Sequence, residues 1–271
     1  MSPEVRRKGE RASASEFGPA AREDKLRPGL RASFLSIPRP AALIAAAEAH
    51  RLTSMKAMAL RAVRRVASHY DAAAWLDAFR LVLLDTAGFD QLLPAAPRRT
   101  LLDIGAGTGE VHAELARLFE ASTATETSEA TAVRAREKGI DCRSLDLGRL
   151  PWPDASRFDV VAILNVLDRA DRPVTLLERA AQLLTPGGHL MLASPLPMRA
   201  HVHRPGGTAD PDEWLGVEGD DFESALGSLV DVLAERGWKL VRWTRTPYVS
   251  SGDPRAARYE LDDAILVLAR R

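Results

Sequence analysis

The sequence predicts an α/β protein with a doubly wound, mostly parallel sheet of seven strands and an N-terminal helical extension. Three observations lead to this prediction. Short apolar runs alternate with helix-favouring segments from about residue 98 onward, as in a parallel sheet covered by helices on both faces. A glycine-rich turn follows the first run. An acidic residue ends the second run, where sheets of this class bind their ligands.

Composition limits the class of protein. Apolar residues make up 46% of the 271 residues and charged residues 27%, which is typical of a soluble globular chain. Basic and acidic residues balance at 37 each, so the net charge gives no support to a nucleic-acid partner. The single cysteine, Cys142, excludes an intrachain disulfide and a cysteine-rich metal site. No run approaches the roughly 18 apolar residues of a membrane span. We expect a cytoplasmic monomer.

The first third of the chain divides into a tail and a helical cap. Residues 1–31 mix Arg, Glu, Pro, Gly and Ser without an apolar core, which predicts a disordered tail rather than a secretory signal. Residues 32–97 predict a cap, ended by Pro94 and Pro97, because proline interrupts helices. The expected cap helices are Ala41–Ala49, the basic segment Ser54–Ser68, and Tyr70–Leu84. A basic helix can lie on an acidic surface, although a solvated face is more common.

The remaining residues, 98–271, alternate between strands and helices. The expected strands are Thr100–Ile104, Ser122–Glu126, Asp141–Ser144, Phe158–Leu164, His189–Ser194, Lys239–Thr244 and Ala264–Ala269. The expected helices are Glu110–Phe119, Glu129–Lys138, Pro173–Leu184 and Phe222–Arg236. Pro173 suits a first helical position, which needs no N–H donor, and Gly139 suits a helix end because glycine adopts a left-handed conformation.

The turn after the first strand, Gly105-Ala106-Gly107-Thr108-Gly109, is the candidate cofactor loop. Glycine lets the backbone turn tightly and approach a ligand without a clashing Cβ. Asp103, just before the loop, suits a cationic cofactor group, whereas its carboxylate would repel a pyrophosphate. The loop also reads G-x-G-x-G, not the G-x-G-x-x-G of dinucleotide enzymes. Both features favour S-adenosylmethionine as the cofactor, and a glycine turn without a ligand is the alternative.

Acidic residues after the second and third strands extend this candidate site. Glu126 ends the second strand, about 20 positions after the loop, where a carboxylate can accept hydrogen bonds from a ribose diol. Thr127 follows it, and Asp146 is a candidate contact for an adenine amino group. A solvated loop aspartate would explain Asp146 equally well. The cofactor-binding candidates are Asp103, Gly105, Ala106, Gly107, Glu126, Thr127, Asp146 and Asn165.

The segment Asp103–Glu110, taken with Glu126, resembles the class I, seven-stranded Rossmann-like methyltransferases. Further motifs resemble a narrower family, the DREV methyltransferases, also called the methyltransferase-like protein 9 family. These motifs are Asn165-Val166-Leu167-Asp168-Arg169, Pro173-Val174-Thr175-Leu176-Leu177, Thr246-Pro247-Tyr248 and Tyr259-Glu260-Leu261-Asp262-Asp263-Ala264. The resemblance covers the chain from about Phe89. It implies a class I methyltransferase domain over 98–271 that methylates the pros nitrogen of protein histidines within His-x-His motifs.

The resemblance also implies roles for individual residues. Asn165 and Asp168 match a pair that faces both cofactor and acceptor, and Tyr248 and Tyr259 match aromatic residues beside the acceptor. These four are the catalytic candidates. A carboxylate such as Asp168 can accept a hydrogen bond from one ring N–H of an imidazole, which leaves the other nitrogen free to attack. Asn and Asp also favour helix N-caps and turns, and the tyrosines would equally suit half-buried core positions.

Three alternatives remain open at this point. His201 and His203 would point the same way in an extended segment, but no third metal ligand is evident; a solvated loop is the simpler interpretation, and self-modification is conceivable. The acceptor could be a small molecule, because the class I fold serves many acceptors. The chain could also be a cofactor-binding adaptor without enzymatic activity. We expect a methyltransferase that binds a protein or peptide substrate with His-x-His motifs.

Overall fold

A mixed sheet of eight strands forms the centre of the computed structural model, which describes residues 25–95, 98–204 and 207–271. The strands are β1 (Leu81–Val82), β2 (Thr100–Ile104), β3 (Ala121–Glu126), β4 (Cys142–Ser144), β5 (Phe158–Leu164), β6 (Leu184–Pro195), β7 (Val202–Arg204), β8 (Gly207–Ala209), β9 (Trp238–Asp253) and β10 (Ala256–Arg270). The helices are α1 (Pro28–Ala32), α2 (Ala41–Ala49), α3 (Ser54–Val63), α4 (His69–Trp75), α5 (Thr86–Leu92), α6 (Glu110–Ala116), α7 (Glu129–Glu137), α8 (Pro173–Leu183) and α9 (Phe222–Glu235).

The order of the strands in the sheet is β1-β9-β10-β6-β5-β2-β3-β4, and β7 pairs with β8 in a separate hairpin. Strands β2 to β6 run parallel to their neighbours among themselves, whereas β10 is antiparallel to β6 and β9. The chain winds outward from β2 to β4 and then returns to β5 on the other side of β2. The strand order therefore reverses between β2 and β5, which confirms the doubly wound α/β class and marks the expected ligand edge.

The sheet has eight strands rather than the expected seven because of β1. This strand falls inside the helix expected at Tyr70–Leu84, and that expectation is wrong beyond Trp75, where α4 ends. Asp77 has a positive φ of 49°, a conformation that a helix cannot accommodate. The apolar segment after this break pairs with β9 instead.

Other element boundaries also differ from the expectations. Helix α3 ends at Val63, not Ser68, and the sequence analysis missed α5, whose N-cap is Asp85: its side chain accepts a hydrogen bond from Gly88 N–H at 2.8 Å. Strands β9 and β10 are much longer than predicted and form a hairpin whose far end supports β1. The sequence pattern did not predict this extension, because the added parts of both strands contain many polar residues.

The N-terminal segment contributes to the core earlier than expected. Residues 1–24 of the expected tail lie outside the described residues, but α1 begins before the predicted boundary at residue 31. The side chains of Leu26, just before α1, and Leu30, within it, are buried. The Trp243 indole N–H donates a hydrogen bond to Leu30 O at 2.7 Å. The boundary expected at residue 31 is therefore wrong, because α1 begins at Pro28.

The hydrophobic core lies on both faces of the sheet. One cluster joins the sheet to α8 and α9, and another joins it to α5 and α6. A smaller cluster within the cap contains Leu52, Leu60, Ala72 and Ala78. The cap reaches the ligand edge through α4, where the Ser128 hydroxyl donates to Asp71 Oδ1 at 2.6 Å. Within the three described ranges, no helix has the length and apolarity to cross a membrane.

Candidate active site

A cavity of about 460 Å³ lies at the carboxyl ends of β2, β3 and β5, where the strand order reverses. Most of the predicted site residues line it. They are Asp103, Gly105, Ala106, Gly107, Glu126, Thr127, Asp146, Asn165 and Tyr248. Asp168 and Tyr259 are not among its lining residues. The cavity also takes residues from the cap and from the loop after β6, so three parts of the chain enclose it.

The glycine loop is shaped for a close approach of its backbone. Gly105 has a φ of 75°, and a Cβ there would lie 2.5 Å from Val166 Cγ2. Gly107 also has a positive φ, of 61°, but a Cβ there would meet nothing within 4 Å. The first glycine is therefore required by packing and by conformation, and the second by conformation alone.

Glu126 lies at the end of β3 with its carboxylate fixed by the backbone. Gly107 N–H donates to Glu126 Oε1 at 2.9 Å, and Thr127 N–H donates to Oε2 at 2.9 Å. Burial raises the pKa of Glu126, while these N–H groups oppose the rise. Because a carboxylate has about four acceptor positions, each oxygen can still accept a bond from a ribose hydroxyl.

Only one of the two oxygens of the buried Asp103 carboxylate has a hydrogen-bond partner. Its Oδ2 accepts a bond from His112 Nδ1 at 3.1 Å, while Oδ1 is buried without a hydrogen-bond partner. His112 Nε2 lies 3.2 Å from Ser122 Oγ, which holds the ring in place. An unpartnered carboxylate oxygen at this cavity fits the cationic ammonium group at the amino-acid end of S-adenosylmethionine. The sequence analysis missed His112, whose position one turn into α6 was the available signal.

Asp146 has both a local partner and a place at the cavity. Its Oδ1 accepts a bond from Gly148 N–H at 2.8 Å, and its Oδ2 lies 3.6 Å from Arg149 Nε. The side chain therefore stabilises its own turn, as the alternative interpretation expected. It also lines the cavity, so a contact with an adenine amino group stays a prediction.

Asn165 and Asp168 lie together just after β5. Asn165 has a left-handed φ of 59°, and both polar atoms of its side chain are buried without hydrogen-bond partners. Asp168 is 2% exposed; its Oδ2 lies 2.6 Å from Arg169, and its Oδ1 has no partner. Burial raises the pKa of Asp168 to about 6, against the effect of Arg169. Asn165 thus lines the cavity, and the unpartnered Oδ1 of Asp168 lies three residues further along the chain.

The two predicted tyrosines have different surroundings. Tyr248 lines the cavity, and burial raises its pKa, so the phenol is neutral. Tyr259 lies in the long hairpin opposite Ser250, where it hydrogen-bonds to Asp253. The structure therefore does not bring Tyr259 to the cavity. Tyr70, which the sequence analysis did not select, lines the cavity from α4.

A cluster of aromatic rings closes one side of the cavity. The rings of His69 and His203 are stacked, with centroids 4.5 Å apart, and Tyr70 and His201 contact His203 edge-on. Burial lowers the pKa of His69 to about 3 and of His203 to about 4, so both are neutral near pH 7. The cluster joins the cap to β7. The described part of the chain contains no group of three or more residues able to hold a metal ion.

Comparison with known proteins decides the family. The model of the DREV methyltransferases matches residues 55–270 of this chain. The chain belongs to the DREV methyltransferase family. This membership confirms the predicted family and S-adenosylmethionine as the cofactor. The orphan oxygen of Asp103 and the fixed carboxylate of Glu126 fit that cofactor.

More distant similarities extend to other methyltransferases. The chain is 38% identical over 101 residues to the ubiquinone biosynthesis O-methyltransferase of Caulobacter vibrioides, covering 35% of this chain and 40% of that protein. The enzyme of Nitrosococcus oceani is 31% identical over 102 residues, covering 35% and 43%. This DREV chain thus spans less than half the length of these curated relatives. Among solved structures, the DhpI complex with S-adenosylhomocysteine is 20% identical, covering 79% of this chain and 96% of that chain, with a TM-score of 0.48.

Proposed function

We propose that this methyltransferase transfers the methyl group of S-adenosylmethionine to the pros nitrogen of a protein histidine within a His-x-His motif. The observation that supports this most is the set of buried, unpartnered polar atoms beside the cavity, on Asn165 and Asp168. Buried polar groups are normally hydrogen-bonded, so these groups need a polar acceptor to complete them. A neutral imidazole offers one N–H donor and one lone pair.

Cofactor binding is assigned to the residues on the β2–β3 side of the cavity. When bound, S-adenosylmethionine supplies a methyl group on a sulfonium, which reacts by in-line displacement. Glu126 accepts hydrogen bonds from the ribose, Asp103 attracts the amino-acid end, and the Gly105–Gly107 backbone allows close approach. Helix α4 of the cap and strand β7 exclude water from this side.

Asp168 and Asn165 act on the acceptor. The Asp168 carboxylate accepts a hydrogen bond from one ring N–H, which leaves the lone pair of the other nitrogen free to form the new bond to carbon. When that bond has formed, Asp168 takes up the N–H proton that the methylated ring releases. A pKa of about 6 suits this role, because it lies close to the imidazole value of about 6.5. Asn165 orients the ring at the cavity wall.

A second candidate function is methylation of a small-molecule hydroxyl group. The similarity to ubiquinone biosynthesis O-methyltransferases favours it. Asp168 could take a proton from a hydroxyl as well, but a nearby carboxylate disfavours the negative charge that develops on oxygen. A ring that becomes cationic is stabilised instead. Membership in a methyltransferase family argues against the adaptor alternative. The proposal includes a monomeric, cytoplasmic enzyme.

An acceptor panel tests the proposal. The purified protein is incubated with methyl-labelled S-adenosylmethionine and a His-x-His peptide, the same peptide with alanine in place of both histidines, or catechol. We expect label on the first peptide alone. Equal labelling of the alanine peptide, or labelling of catechol only, would reject histidine as the acceptor. Glu126→Ala serves as the control for transfer that does not depend on this cavity.

A further inference from the structure

Asp263 is a fully buried carboxyl group that the proposed mechanism does not use. It lies on β10, opposite Thr246 on β9 and Pro195 on β6. Its exposed fraction is 0%, and neither oxygen forms a hydrogen bond that meets normal geometry. An ionised carboxylate without partners is strongly disfavoured in such surroundings, whereas the protonated acid is tolerated.

Two like charges near Asp263 also favour its protonated form, whereas the Asn165 amide opposes it. Asp168 and Asp262 act on it as like charges, and Asp262 already accepts a hydrogen bond from Arg245 Nε at 2.9 Å. The Asn165 amide contacts Asp263 from the end of β5, in an interaction that falls short of a well-formed hydrogen bond. Tyr248 on β9 is the other titratable neighbour, and it is a neutral phenol. Burial and the two aspartates together raise the pKa of Asp263 well above its usual value.

Asn165 links Asp263 to the cavity. Its left-handed backbone is unusual for a residue other than glycine, so neighbouring groups must determine where its side chain points. Asp263 interacts with this amide and is not among the residues that line the cavity. Asp168, by contrast, has Arg169 as a cationic partner. The two carboxyl groups therefore have unequal surroundings, and only one has support for a negative charge.

We infer that Asp263 carries a proton in the resting enzyme, fixes the Asn165 amide from behind, and leaves Asp168 as the only ionised carboxylate of the pair. Two carboxyl groups that share a site do not ionise together readily. Asp263 is thus a positioning residue, which acts through Asn165. The assignment of its effect on turnover rests on the proposed function, whereas its protonation does not.

Thermal unfolding against pH tests the protonation directly. The raised pKa means that the native state binds more protons than the unfolded state above about pH 4, so Asp263 reduces stability progressively as the pH rises. Asp263→Asn keeps the shape and removes the titration. We expect the Tm of this variant, relative to wild type, to rise as the pH increases above about 4. Asp262→Asn, the matched neighbour, should lose an ion pair and show no such rise. A difference that does not change with pH would overturn the inference.

Turnover tests the positioning. Asp263→Ala should lower kcat on the His-x-His peptide at least tenfold with cofactor affinity unchanged, and Asp263→Asn should restore most of that loss, because an amide mimics the neutral acid. If Asp263→Asn is as inactive as Asp263→Ala while its fold and cofactor affinity are intact, the residue acts as an anion and the inference is wrong. If no variant transfers methyl to histidine, the proposed function fails, and the Tm comparison still decides the protonation.

Discussion

Three of the carboxyl groups in or beside the cavity of this DREV methyltransferase have different partners. Glu126 accepts two backbone N–H bonds, Asp103 accepts one bond from His112, and Asp168 pairs with Arg169. The backbone bonds hold Glu126 in one orientation, suited to a rigid diol. The Oδ1 atoms of Asp103 and Asp168 have no hydrogen-bond partner, so each is suited to a ligand that carries an N–H group. Differences in partners, rather than in residue type, thus distinguish binding from catalysis.

Glu126→Ala should weaken binding of S-adenosylmethionine. The change removes two charge-assisted bonds to the ribose diol, which together are worth about 1.5–3 kcal/mol, or roughly 10- to 150-fold in Kd. Titration calorimetry measures this directly. Glu120→Ala is the matched control, because Glu120 is exposed just before the other end of β3. Wild-type affinity in Glu126→Ala would remove Glu126 from the cofactor site.

Asp168→Asn should lower turnover by about 10²–10⁴-fold while leaving cofactor affinity nearly unchanged. An amide can present an N–H to the ring and cannot take up its proton. In the wild type, turnover should fall as the pH drops through about 6, because Asp168 then becomes protonated and the acceptor ring, near 6.5, does as well. Rates against pH for wild type, Asp168→Asn and the exposed control Asp210→Asn check this. Unchanged turnover in Asp168→Asn would exclude it from the mechanism.

Single residues were predictable where local sequence determines their place. The glycine loop, Glu126 and Asn165 all follow directly after strands, so their position at the ligand edge follows from the strand pattern. Tyr259 and Asp263 depend on the register of β9 with β10. They are four residues apart on one strand, roughly 13 Å at 3.3 Å per residue, so Asp263 lies near Asn165 while Tyr259 lies further along the hairpin. Sequence patterns do not determine that register.

At the scale of elements, the hairpin of β7 and β8 and the helix α4 together form one side of the cavity. His203 stacks on His69 across this contact, and Val202 and Arg204 also line the cavity. The central parallel strands were predictable because they are apolar throughout. Helix α4 was predicted as well, but strand β1 was not, because the segment from Tyr70 to Leu84 contains enough apolar residues for a helix throughout.

Binding of a His-x-His peptide should protect this side of the cavity from hydrogen exchange. We expect slower exchange in β7 and in α4, because both elements line the cavity that an acceptor enters to reach Asn165. Exchange followed by mass spectrometry, with and without peptide in the presence of S-adenosylhomocysteine, measures the change. Strand β4 at the far edge of the sheet is the internal control. Protection confined to β4 would show that the acceptor binds elsewhere.

At the scale of the whole molecule, the N-terminal segment packs against the C-terminal hairpin of β9 and β10. Leu26 and Leu30 are buried in the same cluster as Trp243 and the helix α9. The Phe34 and Trp243 rings also contact each other, with centroids 4.7 Å apart. This contact joins residues more than two hundred positions apart, which is why the sequence alone placed Leu30 in a tail.

Leu30→Ala should destabilise the protein by about 2–4 kcal/mol, as is usual when a buried leucine is truncated and leaves a cavity. Urea unfolding measures the change in free energy. Leu150→Ala is the control, because Leu150 is 57% exposed and its truncation should cost little. Equal, small effects for both variants would place Leu30 outside the core.

A competition experiment tests most directly whether a protein histidine is the methyl acceptor at this site. Equal concentrations of a His-x-His peptide and catechol are incubated in one reaction with the enzyme and labelled S-adenosylmethionine. Products are separated, and the methylated nitrogen is identified by NMR. The account predicts nearly all label in the peptide, at the pros nitrogen, and its loss with Asp168→Asn. Label mainly in catechol, or on a peptide residue other than histidine, would contradict it.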